Sequence, residues 1–154
     1  MIRTITTRSV EETILLGCKI GRSLCAGDVV ALIGALGAGK TVFVKGIAKG
    51  IGYDDHRYVN SPTFVVVKEY KGRIDLYHFD VYRLNTYDFE ETIDLDRYFY
   101  GDGVSVVEWA DKIEDILPDE YLEISICDKG ENEREFTFRG IGERFAVIVA
   151  GIAC

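Results

Sequence analysis

The chain has 154 residues, of which 47% are hydrophobic and 12% aromatic. This globular composition excludes a disordered protein and predicts one domain, residues 1–154. Its longest stretch without a charged residue, 29–39, has 11 residues, and the apolar stretch 145–154 has 10, whereas a membrane-spanning helix needs about 18 or more. We therefore expect no transmembrane helix and no membrane partner. Because no signal-peptide pattern opens the chain, we expect a cytoplasmic protein.

The formal net charge of −8 is unevenly distributed along the sequence. Residues 75–123 hold 15 acidic and only three basic residues, so this segment is strongly acidic. A protein that binds nucleic acid by itself needs a basic face that neutralises phosphates and releases counterions. We expect weak affinity for free RNA or DNA.

The cysteines do not have the spacing of a metal site. They include no C-x-x-C pair, and the chain has only two histidines to complete a zinc site. We expect all four to be reduced and structural. They are Cys18, Cys25, Cys127 and Cys154.

The chain is predicted to begin with a strand and a helix. A short strand over 3–6 precedes a helix over about 10–24. Ser9 is the expected N-cap, because its hydroxyl and the acids that follow it suit the free amides of a first helical turn. The apolar positions predicted to share the buried face of this helix are Ile14, Leu15, Cys18 and Leu24.

A second strand and helix follow directly. The unbroken apolar run over 29–33 predicts a parallel strand that is covered on both faces. From Thr41 onward, apolar residues at helical spacing predict a helix that is ended by Gly50 and Gly52.

The rest of the chain adds two hairpins and another buried strand. We expect hairpins over 64–79 and 123–139, a short acidic helical region over 86–96 and an apolar strand over 104–107. The apolar tail from residue 142 onward fits either a helix or a strand. The pattern indicates an α/β fold with a central, mostly parallel sheet, added β-hairpins and flanking helices.

A phosphate-binding motif joins the second strand to the second helix. Residues 34–41 read GALGAGKT and match the P-loop pattern G-x-x-x-x-G-K-[ST] in the strand-loop-helix context that it requires. The glycines let backbone amides face an anion, Lys40 can reach the β- and γ-phosphates of a nucleotide, and the Thr41 hydroxyl can bind Mg²⁺. We therefore predict a P-loop NTPase fold. A glycine-rich turn without a ligand is the alternative.

Two acidic residues come at the ends of predicted apolar strands. Glu108 follows the strand over 104–107, as the acid of a Walker B strand does, and Asp80 ends the second half of the first hairpin. Mg²⁺ prefers oxygen ligands, and an attacking water must be held in place. Asp80 and Glu108 are candidates for both tasks. The alternative is that each is a solvated carboxylate at a strand end.

Several other residues have both a functional and a structural interpretation. The segment 61–64, SPTF, offers a hydroxyl to Mg²⁺ or phosphate, or it is a turn set by its proline at the entry to a strand. His78 is either a half-buried strand residue or a base. Arg83 could contact phosphate or pair with nearby acids. Trp109, the only tryptophan, belongs either to the site or to the core.

Four segments, in this order and spacing, resemble the TsaE family, also called YjeE, the bacterial ATPases of tRNA threonylcarbamoyladenosine formation. The segments are GALGAGKT at 34–41, SPTF at 61–64, HFDVYRL at 78–84 and VEWADKI at 107–113. The resemblance implies a small Mg²⁺-dependent ATPase that works with two proteins, TsaD and TsaB. These two install threonylcarbamoyl on N6 of adenosine 37 in tRNAs that read ANN codons. The resemblance implies contact with tRNA only through the complex.

The resemblance also implies roles for matching positions of this chain. Thr41 and Glu108 would serve the magnesium. Lys40, Asp80 and Glu108 would be catalytic, with Asp80 at the nucleotide. The residues implied to hold the phosphates of ATP are Leu36, Gly37, Ala38, Gly39, Lys40 and Thr41.

Further matching positions lie around this centre. Thr63 and Trp109 match positions near the site, and Val10 and Arg134 match positions expected close to the base or ribose. One position departs from the family. Ala35 stands where Asp or Glu is usual, and the lost charge could alter the affinity for phosphate or partners.

Three other functions compete with an ATPase. Small-molecule kinases carry a lid with clustered arginines, whereas Arg97 is the only arginine between residues 84 and 133. A GTPase would need a guanine-reading N-K-x-D motif, which the sequence lacks. A non-catalytic adaptor that senses ATP would use the same P-loop residues, so a measurement of phosphate release against nucleotide binding separates it from an ATPase.

Overall fold

The structure is a computed structural model that describes residues 1–35, 37–56, 59 and 67–152. This part of the chain contains seven strands, five α-helices and one 3₁₀ helix. The strands are β1 (Ile2–Thr7), β2 (Val29–Ile33), β3 (Val67–Lys71), β4 (Asp75–Asp80), β5 (Val104–Glu108), β6 (Tyr121–Gly130) and β7 (Glu133–Ile141). The α-helices are α1 (Val10–Ser23), α2 (Lys40–Ile51), α3 (Thr86–Thr92), α4 (Leu95–Tyr98) and α5 (Glu143–Ala150), and a 3₁₀ helix covers Ala110–Ile116.

The strands form one sheet in the order β1-β7-β6-β2-β5-β4-β3. The four central strands, β6, β2, β5 and β4, are parallel to one another. The hairpins β3-β4 and β6-β7 and the strand β1 add antiparallel edges. The α/β fold is confirmed, with its parallel centre and its two added hairpins. The first residues of the predicted 64–79 hairpin lie outside the described residues.

Strand β2 lies at the middle of the sheet because its residues are apolar on both faces. Val29, Val30, Ala31 and Leu32 are all at most 1% exposed, as the unbroken run predicted. One face of the sheet packs against α1, α2 and α5, and the other packs against α3, α4 and the 3₁₀ helix. The carboxyl end of β2 is therefore held rigidly where the P-loop begins.

Helix α1 starts as predicted, and its predicted buried face is only partly correct. The Ser9 hydroxyl accepts a hydrogen bond from the Glu12 amide at 3.0 Å. Cys18 and Leu24 are buried as predicted and Ile14 is partly buried, but Leu15 is 55% exposed. Leu16 and Ile20 are buried instead, so the buried face is shifted toward the side on which glycines of α1 meet α2.

Glycines bring the backbones of α1 and α2 into direct contact. A Cβ on Gly46 would lie 2.4 Å from the carbonyl oxygen of Ile14, and one on Gly50 would lie 2.3 Å from that of Cys18. Gly50 was predicted to end α2, but it lies inside the helix, which ends at Gly52 in the left-handed region, φ 95°. The glycines of this contact are Gly17 and Gly21 on α1 and Gly46 and Gly50 on α2.

The apolar tail forms helix α5, which settles the choice between helix and strand. Phe145 and Val149 are buried in the core shared with α1 and α2. Arg144 at its start donates from Nε to Asp28 Oδ1 at 2.9 Å and from Nη2 to Asp28 Oδ2 at 2.5 Å. This ion pair ties α5 to the loop that precedes β2. It also raises the pKa of the Arg144 guanidinium, chiefly through the hydrogen bond to Asp28.

The cysteines only partly match expectation. Cys18, Cys25 and Cys127 are free thiols; Cys18 is buried, whereas Cys25 and Cys127 are exposed, so burial supports a structural role for Cys18 alone. Cys154 lies outside the described residues. Within 1–35, 37–56, 59 and 67–152, no helix has the length and apolar character to cross a membrane.

Candidate nucleotide-binding site

The P-loop lies between the end of β2 and the start of α2. Gly37 and Gly39 have φ of 77° and 104°, a left-handed conformation that glycine adopts without strain. Gly39 is the N-cap of α2, and among the described residues no side chain caps this helix. Its first amides and the positive end of its dipole are therefore directed at the loop, an arrangement suited to anions. Ala38 and Thr41 lie at the same junction, whereas Leu36 is outside the described residues.

Lys40 is the only cation of the motif, and it is 5% exposed. Its Nζ donates to the carbonyl oxygens of Gly34, at 2.6 Å, and Ala35, at 2.8 Å. Burial lowers the pKa of Lys40, and the negative charges of Glu108, Asp80 and Asp111 oppose that fall. An ammonium surrounded by backbone carbonyls and nearby acids is positioned to meet a phosphate group.

The two candidate carboxylates lie side by side. Asp80 and Glu108 are register partners on the parallel strands β4 and β5, and Glu108 is also opposite Leu32 of β2. They are 7% and 2% exposed, so neither is the solvated strand-end carboxylate of the alternative interpretation. Asp80 Oδ1 accepts a hydrogen bond from the Tyr82 amide at 2.9 Å.

His78 is fully buried on β4, and its Nε2 is hydrogen bonded to Glu108 Oε2. Sequence reasoning gave it as a half-buried strand residue or a base and did not connect it with Glu108. The spacing did hold a signal, because His78 and Asp80 are two residues apart on one strand and therefore face the same side of the sheet.

Trp109 follows Glu108 in the left-handed region, with φ 64°, and begins the 3₁₀ helix. Its ring centroid is 4.2 Å from Lys40 Nζ and 4.7 Å from the ring of Tyr82. Trp109 therefore belongs both to the edge of the core and to the site. Tyr82 was missed, although its place two residues after Asp80 puts an aromatic ring beside the candidate acid. Arg83, the next residue, is exposed.

The other side of the loop holds a small pocket next to Gly39. Val10 and Arg134 both line it, so the structure brings these two distant positions together. Arg134 Nη1 donates to Asp128 Oδ1 at 2.9 Å, and Val10 is 50% exposed. Among the described residues, its lining is Ser9, Val10, Thr13, Gly39, Val42, Asn132 and Arg134. Thr63 lies outside the described residues.

The chemistry of these donors fits a magnesium-nucleotide complex. Thr41 offers a hydroxyl, Asp80 and Glu108 offer buried carboxylates, and Mg²⁺ is commonly bound by one or two carboxylates together with substrate phosphates. Among the described residues, no group of three or more His, Cys, Asp or Glu side chains could hold a metal ion.

Comparisons with known proteins agree with this geometry. Residues 7–136 match the sequence model of the family "Threonylcarbamoyl adenosine biosynthesis protein TsaE". The tRNA threonylcarbamoyladenosine biosynthesis protein TsaE of Bacillus subtilis is 52% identical over 143 residues, which cover 92% of this chain and 88% of that protein. The TsaE protein of Treponema pallidum is 42% identical and covers 85% of this chain and 96% of its own length.

A solved structure is similar over almost the whole chain. The crystal structure of Bacillus subtilis YdiB superposes with a TM-score of 0.79 at 39% identity and covers 97% of this chain and 94% of that one. The resemblance found in four short segments therefore extends over most of the molecule. The chain is a member of the TsaE family.

Proposed function

We propose that this protein binds and hydrolyses Mg-ATP, and that it does so with TsaD and TsaB in the cytoplasm during threonylcarbamoylation of adenosine 37 in tRNAs that read ANN codons. The observation that carries the ATPase proposal is the meeting of Lys40, Asp80 and Glu108 at the carboxyl ends of β2, β4 and β5. The names of the TsaE relatives support the role in tRNA modification.

Each residue has a separate task in this proposal. The amides of residues 37–41 hold the phosphates, and Lys40 supplies positive charge to the β- and γ-phosphates. Thr41 and Glu108 hold Mg²⁺, which neutralises charge on the phosphates when bound. Asp80, held at its Oδ1 by the Tyr82 amide, orients the attacking water.

The base and ribose would occupy the pocket between Val10 and Arg134. Its walls come from the start of α1 and from β7, on either side of Gly39. A nucleotide with its phosphates on the P-loop would extend its nucleoside in this direction. The Arg134 guanidinium offers hydrogen-bond donors and the Val10 side chain an apolar contact.

Hydrolysis is favoured over phosphoryl transfer to a small molecule. A kinase lid places arginines over the transferred phosphate, but Arg97 lies on α4, where its Nη2 is 3.2 Å from Glu69 Oε1 on β3. The P-loop motif itself supplies one cation, Lys40. In other P-loop enzymes an arginine supplied by a partner raises the rate by about 10³ to 10⁵. We therefore expect slow hydrolysis by the chain alone and faster hydrolysis with its partners.

The acidic segment 75–123 indicates how the partners dock. It would repel tRNA but attract a basic protein surface, and such complementarity speeds association. In our proposal the chain meets tRNA only through TsaD and TsaB. ATP favours the docked complex, and hydrolysis drives or resets the complex without performing the transfer itself.

The test compares phosphate release by the chain alone, with TsaD and TsaB, and with both proteins plus tRNA, beside ATP binding by calorimetry. We expect ATP-dependent association that salt weakens, and a higher rate in the complex. ATP binding without phosphate release under any condition would instead identify a non-catalytic ATP sensor. Equal rates in all three mixtures, without ATP-dependent association, would refute the partner proposal.

A further inference from the structure

His78 is a buried polar residue that the proposed reaction does not use. Its side chain has no exposed surface, and its hydrogen-bond partner, Glu108, is 2% exposed. Both side chains come from the central, parallel part of the sheet, where β4 and β5 are paired. A buried pair of this kind, at the residue expected to serve magnesium, calls for a specific reason.

The chemistry of the pair fixes the position of the imidazole proton. An ionised carboxylate can only accept hydrogen bonds, so the Nε2 of His78 carries the hydrogen that Glu108 Oε2 accepts. Nδ1 has no hydrogen-bond partner within the described residues. We take Nε2 as the donor of this pair, so this one hydrogen bond sets the orientation of both side chains.

The bond also determines what Glu108 can do. Glu108 attracts the Lys40 ammonium electrostatically, yet among the ion pairs of the described residues none joins these two groups. A glutamate without a second partner would be free to rotate toward the lysine and to compete with phosphate for it. His78 engages Oε2 and leaves Oε1 for the metal and its water.

We propose that His78 is a positioning residue that orients the Glu108 carboxylate for magnesium and keeps it from pairing with Lys40. This inference rests on the proposed Mg-ATP site. In this proposal His78 is not a catalytic residue, because its ring has no exposed surface and acts on the site through Glu108. Removing a residue that hydrogen bonds to a metal ligand lowers metal affinity or activity by about 10- to 100-fold.

The first test measures how strongly Mg²⁺ improves ATP binding, by calorimetry with and without the metal. His78→Leu removes the hydrogen-bond donor, and the factor by which Mg²⁺ strengthens ATP binding should be about tenfold smaller than in the wild type. His78→Gln can place an amide N–H near the position of Nε2 and should restore it to within a few-fold of the wild type. The matched control is His56→Gln, a change at the chain's other histidine, which should behave as the wild type.

A double-mutant comparison separates positioning from general damage. If His78 acts through Glu108, His78→Leu should lose almost nothing more in a Glu108→Gln background, because coupled residues are non-additive. Full additivity of the two changes would overturn the proposal.

A spectroscopic test needs no variant and therefore survives a failure of His78→Leu to fold. Long-range ¹⁵N–¹H correlation spectra of the wild-type protein should show the His78 hydrogen on Nε2. A hydrogen on Nδ1 overturns the proposal. An equal improvement of ATP binding by Mg²⁺ in wild type and His78→Leu also overturns the proposal for His78, but it does not contradict the proposed ATPase function. Absence of Mg-ATP binding by the wild type overturns the proposed function first.

Discussion

Lys40→Met replaces the ammonium of the P-loop with an apolar side chain of similar length. Lys40 Nζ now makes two hydrogen bonds, of 2.6 and 2.8 Å, to the carbonyl oxygens of Gly34 and Ala35. It also lies 4.2 Å from the Trp109 ring centroid. The variant removes these contacts together with the charge that would meet the phosphates of ATP.

The expected losses in binding and in stability are very different. A hydrogen bond to a charged group is worth about 1.5 to 3 kcal/mol, so losing the phosphate contact should weaken ATP binding by about 10- to 100-fold. The nucleotide-free protein should lose little stability, because burial of the ammonium is itself costly and lowers its pKa. A variant that folds normally and binds ATP about 10- to 100-fold more weakly is the outcome that the geometry predicts.

The assay has three measurements on the same protein. Calorimetry gives the Kd for Mg-ATP, urea unfolding gives the free energy of unfolding, and Trp109 emission reports on the ammonium next to the ring. Since Trp109 is the only tryptophan, its emission should differ between variant and wild type before any ATP is added. Lys49→Met, near the end of the same helix, is the matched control and should change none of the three.

An unchanged Kd for Lys40→Met would refute the assignment of residues 34–41 as the phosphate site. A large loss of unfolding free energy would show instead that the ammonium is a structural tie for the loop. Identical emission spectra would contradict the contact between Lys40 and Trp109.

Three further predictions follow from other parts of the structure. Glu108→Gln and Asp80→Asn keep the shape of two buried acids but remove their charge. The single-turnover rate of ATP hydrolysis should therefore fall much more than the affinity for ATP. A wild-type rate in both variants would exclude these two residues from the reaction. Arg144→Met removes one partner of Asp28, a carboxylate that is 5% exposed. The free energy of unfolding should fall by about 1 to 2 kcal/mol, a value reduced because the arginine is partly exposed. Urea unfolding measures this change, and an unchanged free energy of unfolding would show that α5 does not depend on this ion pair. Burial, aided by Glu123 and Glu114, raises the pKa of Tyr121 above its ordinary value of 10.0. Above about pH 10 the unfolded chain therefore loses this proton more readily than the folded protein, and the free energy of unfolding falls as the pH rises. Tyr121→Phe should reduce this fall, and an equal dependence on pH in variant and wild type would contradict the shift.

The parts of the candidate site whose place in the fold was predicted from sequence depend on local order. The P-loop is contiguous, so strand, loop, lysine and helix are fixed by neighbouring residues. Asp80 and Glu108 were predictable because each ends an apolar strand, and the carboxyl ends of parallel strands share one edge. The roles of all the site residues remain predictions, and for Thr63 and Leu36 the placement does too, since these two lie outside the described residues.

The parts predicted wrongly, or not at all, depend on contacts between distant segments. Leu15 has the character of a core residue, but the rotation of α1 is set by its glycines against α2. Gly50 has the character of a helix end, but it serves close packing. The bond between His78 and Glu108 joins residues 30 positions apart, and the spacing of His78 and Asp80 shows which face of the sheet His78 shares but does not identify Glu108 as its partner.

The glycine contact between α1 and α2 also sets the width of a pocket some distance away. Val10 begins α1 and Gly39 precedes α2, and both line the pocket proposed for the nucleoside. The distance between them depends on how closely the two helices approach, and a Cβ on Gly17 or Gly46 would lie 2.4 to 2.5 Å from a carbonyl oxygen of the facing helix. A methyl group at either glycine would therefore push the helices apart and change the pocket, although neither glycine lines it.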